Sequence, residues 1–146
     1  SCLEYPNEST CDVFDLETFR EYALDENKIL KELGSRITVE PVEIVKSNYL
    51  KCKVKDFKGN VHFGYIGVSG DDNDISQYFY DPESFTGHYS FEVDLERQCL
   101  VVSGGIPILP MHASYLGDLR SPLEFDPATG GFKLSDVLIV ELVQLE

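Results

Sequence analysis

The chain has 146 residues, 42% of them hydrophobic and 12% aromatic, and carries a formal net charge of −14 at pH 7. That length suits a single domain, 1–146, with its own core, and the apolar content excludes an acidic disordered chain. The charge argues against nonspecific nucleic-acid binding, which needs Lys and Arg to neutralise phosphates, and against docking on anionic lipid; it favours a basic partner.

The sign of the charge changes along the chain. Residues 1–34 hold nine acids and three bases, residues 35–63 six bases and three acids, and residues 64–146 fourteen acids and three bases. The chain begins at Ser1 and its one Met is Met111, which reads as a processed, partial or tagged chain. No signal peptide is visible, and no apolar run approaches the roughly 20 residues of a membrane helix.

In chain order, Cys2 and Cys11 bracket a Pro-containing polar stretch and are placed to close a small loop in an oxidising compartment. Residues 14–33 read as a helix, with Phe19, Tyr22, Ala23, Leu30 and Leu33 at helical spacing. Asp15 is the expected N-cap and Gly34 the expected C′ residue; Asp25-Glu26-Asn27 is a possible break. After Gly34 the period changes to two. Ile37 and Val39 alternate with Thr38 and Glu40, and Pro41 shifts the parity, which predicts a bulge or an edge strand.

Two hairpins follow. Leu50, Cys52 and Val54 alternate with Lys51, Lys53 and Lys55. A two-residue turn at Lys58-Gly59 would lead into Val61, Phe63 and Tyr65, setting Val54 against Phe63 and Cys52 against Tyr65. In the second hairpin Phe91, Val93 and Leu95 turn at Glu96-Arg97 into Leu100 and Val102. Phe91 then faces Val102 and Val93 faces Leu100, with Glu92 and Asp94 on the other face. The lysine row is expected across from Glu92, Asp94 and Glu96 in one sheet.

Between the hairpins, Gly70 to His88 reads as a loop with a short helical turn at Asp74–Tyr80. A second irregular region, Ser103 to Gly131, holds four prolines. Val137 to Leu145 is apolar on both parities, which predicts a strand buried on both faces at the centre of the sheet. The fold class is therefore α+β, with an N-terminal helix on a mostly antiparallel, curved sheet of about five to seven strands.

Candidate chemistry is sparse. Asp72, Asp74, Ser76 and Glu83 sit at positions one, three, five and twelve of a calcium-type loop, but position six is Gln77 rather than Gly and the flanks are strand-like, favouring a solvated acidic turn. His62, His88 and His112 match no metal-ligand spacing, and Cys52 and Cys99 lie inside apolar runs as small hydrophobes, favouring reduced thiols and an intracellular protein. Ser69 lacks the second Gly of a nucleophile elbow, and Gly104-Gly105 precedes no helix. No metal or other cofactor is implied.

Two functional expectations result. The first is a non-enzymatic, acidic protein-binding module of the inhibitor or immunity type. It would dock a basic protein partner through Asp71, Asp72, Asp74, Tyr78, Tyr80, Asp81 and Glu83, where acids and tyrosines gather. The alternative is a small enzyme or ligand-binding protein with a pocket between helix and sheet, using His88, His112 and a carboxylate.

Overall fold

One helix, α1 (Glu26–Ser35), begins where Asp25 caps it: the Asp25 side chain accepts a hydrogen bond from the Lys28 N–H at 3.2 Å. Ile29, Leu30 and Leu33 form its buried stripe. The computed structural model describes residues 12–15, 20–23, 25–46, 48–68, 74–84, 88–96, 99–111, 114–128 and 130–145.

The helix is ten residues long, not twenty. A cap at Asp25 ends it there, and the residues upstream pair as an antiparallel ribbon of β1 (Asp12–Asp15) and β2 (Arg20–Ala23). Val13, Phe14 and Tyr22 favour extended backbone, and the spacing of Phe19, Tyr22 and Ala23 covers too few turns to establish a helical period. Gly34 lies within the helix rather than beyond it, and its carbonyl accepts the Tyr80 hydroxyl at 2.7 Å.

The expected single sheet is two. A three-stranded antiparallel sheet has the order β3 (Ile37–Val45), β4 (Tyr49–Asp56), β5 (Val61–Gly67). A five-stranded one runs β10 (Ile139–Leu142), β8 (Tyr115–Asp126), β7 (Cys99–Pro107), β6 (Tyr89–Asp94), with β9 (Gly131–Leu134) also on β8. Past β10, Val143 joins the two: its N–H donates to the Leu116 carbonyl at 2.9 Å and its own carbonyl accepts from the Tyr65 N–H at 3.0 Å. The central strand is β8, not the C-terminal one. β10 is an edge in the strand order, and Val137, Ile139 and Val143 are 40–48% exposed, which is why that segment is apolar on both parities without being buried on both.

β8 crosses the stretch expected to be irregular. Pro122 hid it, since a proline argues against a central strand. The Pro122 carbonyl accepts from the Ser135 N–H, and a residue's nitrogen and carbonyl lie on the same side of a strand. The missing donor therefore faces the gap between the β10 pairing, which stops at Arg120, and the β9 pairing, which starts at Leu123.

Pro41 acts as expected, with a register shift between Pro41 and Glu43 on an edge strand. The first hairpin does not. Lys55 faces Val61, Val54 faces His62 and Cys52 faces Gly64, one residue away from the expected register. The loop has three residues, Phe57 to Gly59, closed by the Asp56 N–H on the Asn60 carbonyl, with Gly59 at φ 89°. Three-residue hairpin loops place such a positive-φ residue last, and Gly adopts it without strain. Asp56 Oδ1 fixes the loop by accepting from the N–H groups of Lys58 and Asn60, both at 2.9 Å. The extra residue exchanges the faces of β5. Gly64 goes to the core, where a Cβ would sit 2.8 Å from Leu142 Cβ, and Val61 and Phe63 go outward, 46% and 42% exposed.

The second hairpin follows expectation: Phe91 faces Val102, Val93 faces Leu100, and Glu92 and Asp94 lie opposite Val101 and Cys99. Only the end of the alternation differs, since Leu95 lies in the turn and is 74% exposed. One hydrophobic cluster joins Leu30 and Leu33 of α1 to Leu50, Cys52 and Val54 of β4 and to Val102, Ile106, Leu116 and Leu119 of β7 and β8. Cys52 is a free buried thiol whose pKa burial raises to about 12; Cys99 is free and half-buried. No helix among the described residues is long and apolar enough to cross a membrane.

Candidate functional site: an acidic groove on the five-stranded sheet

Alternation along β6, β7 and β8 sends Phe91, Leu100, Val102, Leu119 and Ser121 inward. The intervening positions then share the outer face. Glu92 lies beside Val101, Ser103 beside Arg120, and Gly105 beside Asp118. Glu92, Val101, Ser103, Asp118 and Arg120, with Val93 and Asp94, line an open groove of about 410 Å³. Among the described residues of its lining the one cation is Arg120, which donates from Nη2 to Glu141 Oε2 at 2.6 Å. Glu92, Asp94 and Asp118 thus outnumber it in the described lining.

At the end of β7 the exposed ring of His88 stacks on Tyr115, centroids 5.1 Å apart. Gly105 makes room for the pair, because a Cβ there would meet the Tyr115 ring at 2.8 Å and His88 at 3.2 Å. The Gly105 N–H donates to the His88 carbonyl at 2.9 Å. His112 lies outside the described residues, so the expected pairing of His88 with His112 has no geometry to report.

The residues expected to bind a partner are placed differently from one another. Asp71 and Asp72 lie outside the described residues. Asp74 and Asp81 start two single 3-10 turns, Ile75–Gln77 and Pro82–Ser84. Asp74 accepts from the Ser76 N–H at 3.0 Å and hydroxyl at 2.5 Å, and these bonds hold its carboxyl below the usual range. Asp81 accepts from the Glu83 N–H at 3.0 Å. Tyr78 is 7% exposed and part of the core. The Tyr80 hydroxyl, bonded to the Gly34 carbonyl, ties the loop to α1, and burial followed by the Asp81 charge raises its pKa. Glu83 is exposed. Phe79, 51% exposed, pairs with Leu109 through both backbone bonds. Tyr78 and Tyr80 thus fasten the loop to the core and to α1, while Asp74 and Asp81 brace its two turns. Among the described residues no group of three or more His, Cys, Asp or Glu side chains is placed to hold a metal ion.

A smaller groove of about 250 Å³ lies between α1 and β9, lined by Asp25, Lys28, Ile29, Glu32, Gly131, Phe132 and Lys133. It has the position of the pocket expected between helix and sheet, but its acids and bases are mixed and neither of the described histidines, His62 and His88, lines it.

The lysine row lies on the other sheet, and its register neighbours are not the Glu92 row. Lys53 faces Glu40, Lys51 faces Glu43, and Lys55 faces Thr38. On the β5 side they face Phe63, Tyr65 and Val61, and Lys51 Nζ stands 4.8 Å from the Phe63 ring centroid. In their own sheet the register neighbours of Glu92 and Asp94 are Val101 and Cys99. Asp118 and Arg120 belong to β8, within the stretch expected to be irregular, and the alternation of Leu119, Ser121 and Leu123 with Arg120 and Pro122 is the signal that marks them. No protein family model, curated protein or solved structure matches this chain.

Proposed function

We propose that this protein is a non-enzymatic binding module that docks a basic protein partner through the groove of Glu92, Asp94 and Asp118. The observation that carries the reading is the groove itself: an open concavity of about 410 Å³ on a sheet face, lined by three carboxylates around an arginine already paired with Glu141. A side-chain guanidinium or ammonium group fits such a lining by charge and by hydrogen bonding. The net charge of −14 extends the attraction beyond contact range and accelerates capture of a cationic surface. In this reading the loop acids Asp74, Asp81 and Glu83 contribute to the field, and Tyr78 and Tyr80 position the loop. The module acts in the manner of an acidic inhibitor or immunity protein, occupying a basic site on its partner.

The test is fluorescence-anisotropy titration with a labelled arginine-rich peptide of about ten residues. Glu92→Gln with Asp118→Asn should weaken binding about tenfold or more, which is about 1.4 kcal/mol. Asp74→Asn with Glu83→Gln should leave it within about twofold, and raising the salt concentration should slow association steeply. Equal losses from the two variants, or a salt-insensitive association rate, would sink the groove as the docking site.

A further inference from the structure

The outer face of β4 and β5 combines two features seldom found together on a strongly acidic protein. Lys51, Lys53 and Lys55 form a row along β4, and Val61 and Phe63 stand beside them on β5, 46% and 42% exposed. Glu40 and Glu43 lie across from Lys53 and Lys51, so the row's charge is partly balanced at one end; Lys55, between Thr38 and Val61, has no acid opposite in either register. Val61 and Phe63 offer apolar area to a contact, and the row of ammonium groups beside them suits an anionic one.

Among the described residues, the groove on β6, β7 and β8 is a surface of matching chemistry. It presents Glu92, Asp94 and Asp118 around the outward Val101, acids bordering an apolar side chain as the opposite face has bases bordering them. The two surfaces are complementary, but they belong to different sheets with no strand pairing between β4 and β6, β7 or β8. Neither row has the other as its register neighbour within one chain.

We propose that the β4–β5 face docks on the acidic groove of a second copy of this chain. The contact rests on the groove's being a site for cationic groups, as in the preceding section. It is heterologous, because the two patches differ, so each copy keeps one free patch and association proceeds past the dimer to a ring or a filament. Each molecule also carries −14, so long-range repulsion opposes the approach. Association is therefore strongest at intermediate salt: with a Debye length of about 10 Å at 0.1 M, repulsion between the bodies is screened before the contacting pairs are.

Sedimentation velocity tests this with two neutralised variants, chosen because charge reversal would create new complementary pairs. One carries Lys51→Gln, Lys53→Gln and Lys55→Gln; the other carries Glu92→Gln and Asp118→Asn. Circular dichroism and thermal midpoints establish that each is folded, and Phe63→Ser serves in place of the lysine variant if that one is not. The wild type should form species larger than a dimer as its concentration rises to about 1 mM, where a contact of about 4 kcal/mol is half-formed. Each variant alone should stay monomeric over that range. Mixed in equal amounts they should form a one-to-one dimer and nothing larger, since each supplies the patch the other lacks. A monomeric wild type, a variant that associates like the wild type, or a mixture that stays monomeric overturns the proposal. If the wild type is monomeric yet its groove still takes the arginine-rich peptide, the self-contact alone is overturned; loss of both removes the groove as well.

Discussion

The two hairpins are alike in sequence and opposite in outcome. In each, apolar residues alternate with charged ones on the first strand and apolar residues recur at every second position on the other. In β6–β7 the loop lies between Asp94 and Cys99, and the two apolar rows face each other in the core. In β4–β5 the loop has three residues, and the apolar row of β5 faces solvent beside the lysines. Alternation gives the period of a strand; the loop decides which half of the period is buried. One residue at a turn thus determines whether a row of Val, Phe and Tyr is core or surface, and here it leaves a basic, apolar face on one sheet and an acidic groove on the other.

The largest effect expected from this contrast separates two phenylalanines. Phe91→Ala should cost about 3–5 kcal/mol, because Phe91 is 3% exposed in the core. Phe63→Ala should cost less than about 1 kcal/mol, since 42% of Phe63 already meets water. Urea titrations of both variants measure this, and similar losses would place Phe63 in the core after all. Next in size is Gly64→Val. On the solvent face it would be harmless and would improve strand propensity. On the core face the new side chain meets Leu142 Cβ at 2.8 Å and Leu116 at 3.1 Å, and should cost about 1–3 kcal/mol. A stabilised Gly64→Val protein would reverse the register.

The helix and the first hairpin hold carboxyl groups that respond oppositely to pH. Glu26 is 7% exposed, and its carboxylate oxygens have no hydrogen-bond partner among the described residues. Burial raises its pKa from 4.5 to about 7. Tyr89 at the start of β6 is raised too, by burial and then by the Glu26 charge. Between pH 4.5 and 7 the unfolded chain loses the Glu26 proton while the folded one keeps it, so this contribution to stability falls as pH rises through that window and is flat above it. Glu26→Gln should remove the slope and stabilise the protein at pH 8 by about 1–3 kcal/mol. Asp56 behaves oppositely. Burial pushes its carboxyl up, but hydrogen bonds from Asn60, His62 and Lys58 outweigh it and hold the pKa below 3.8. Its contribution is complete above that value and is lost as pH falls through the lowered pKa. Thermal melts of Glu26→Gln and Asp56→Asn across pH 3 to 8 separate the two ends. A Glu26→Gln protein with the wild-type slope would show that other groups titrate in that window.

How far the fold could be read from sequence follows from the same physics. The stripe of Ile29, Leu30 and Leu33, the bulge at Pro41 and the whole β6–β7 register were legible, because each rests on local periodicity or on a residue with one conformational meaning. The N-terminal extension of the helix failed because Phe19, Tyr22 and Ala23 span less than two turns, while the Asp25 cap competes with Asp15. β8 failed because the acceptability of Pro122 depends on a gap between two neighbouring strands, which no local window contains. The neighbours of the charged rows were not legible: Glu92 and Asp94 form one row and the lysines another, but which strand each row faces depends on the strand order. Nor was the partner of Tyr80, a carbonyl 46 residues away in sequence that no local window contains.

The smallest expected effect tests that strand order directly. Lys53→Glu alone should be slightly destabilising, because it places a second acid across from Glu40. Adding Glu40→Lys restores opposite charges at the same two positions and should recover about 0.2–1 kcal/mol, a coupling readable in a double-mutant cycle. Adding Asp94→Lys instead should recover nothing beyond the additive scatter of about 0.3–0.5 kcal/mol, since Asp94 pairs with Cys99 in the other sheet. Coupling at Glu40 but not Asp94 would leave the acid row of β6 free of the lysine row within the monomer. Coupling at Asp94 would mean that the two rows meet. If it grew with protein concentration, that meeting would be between copies.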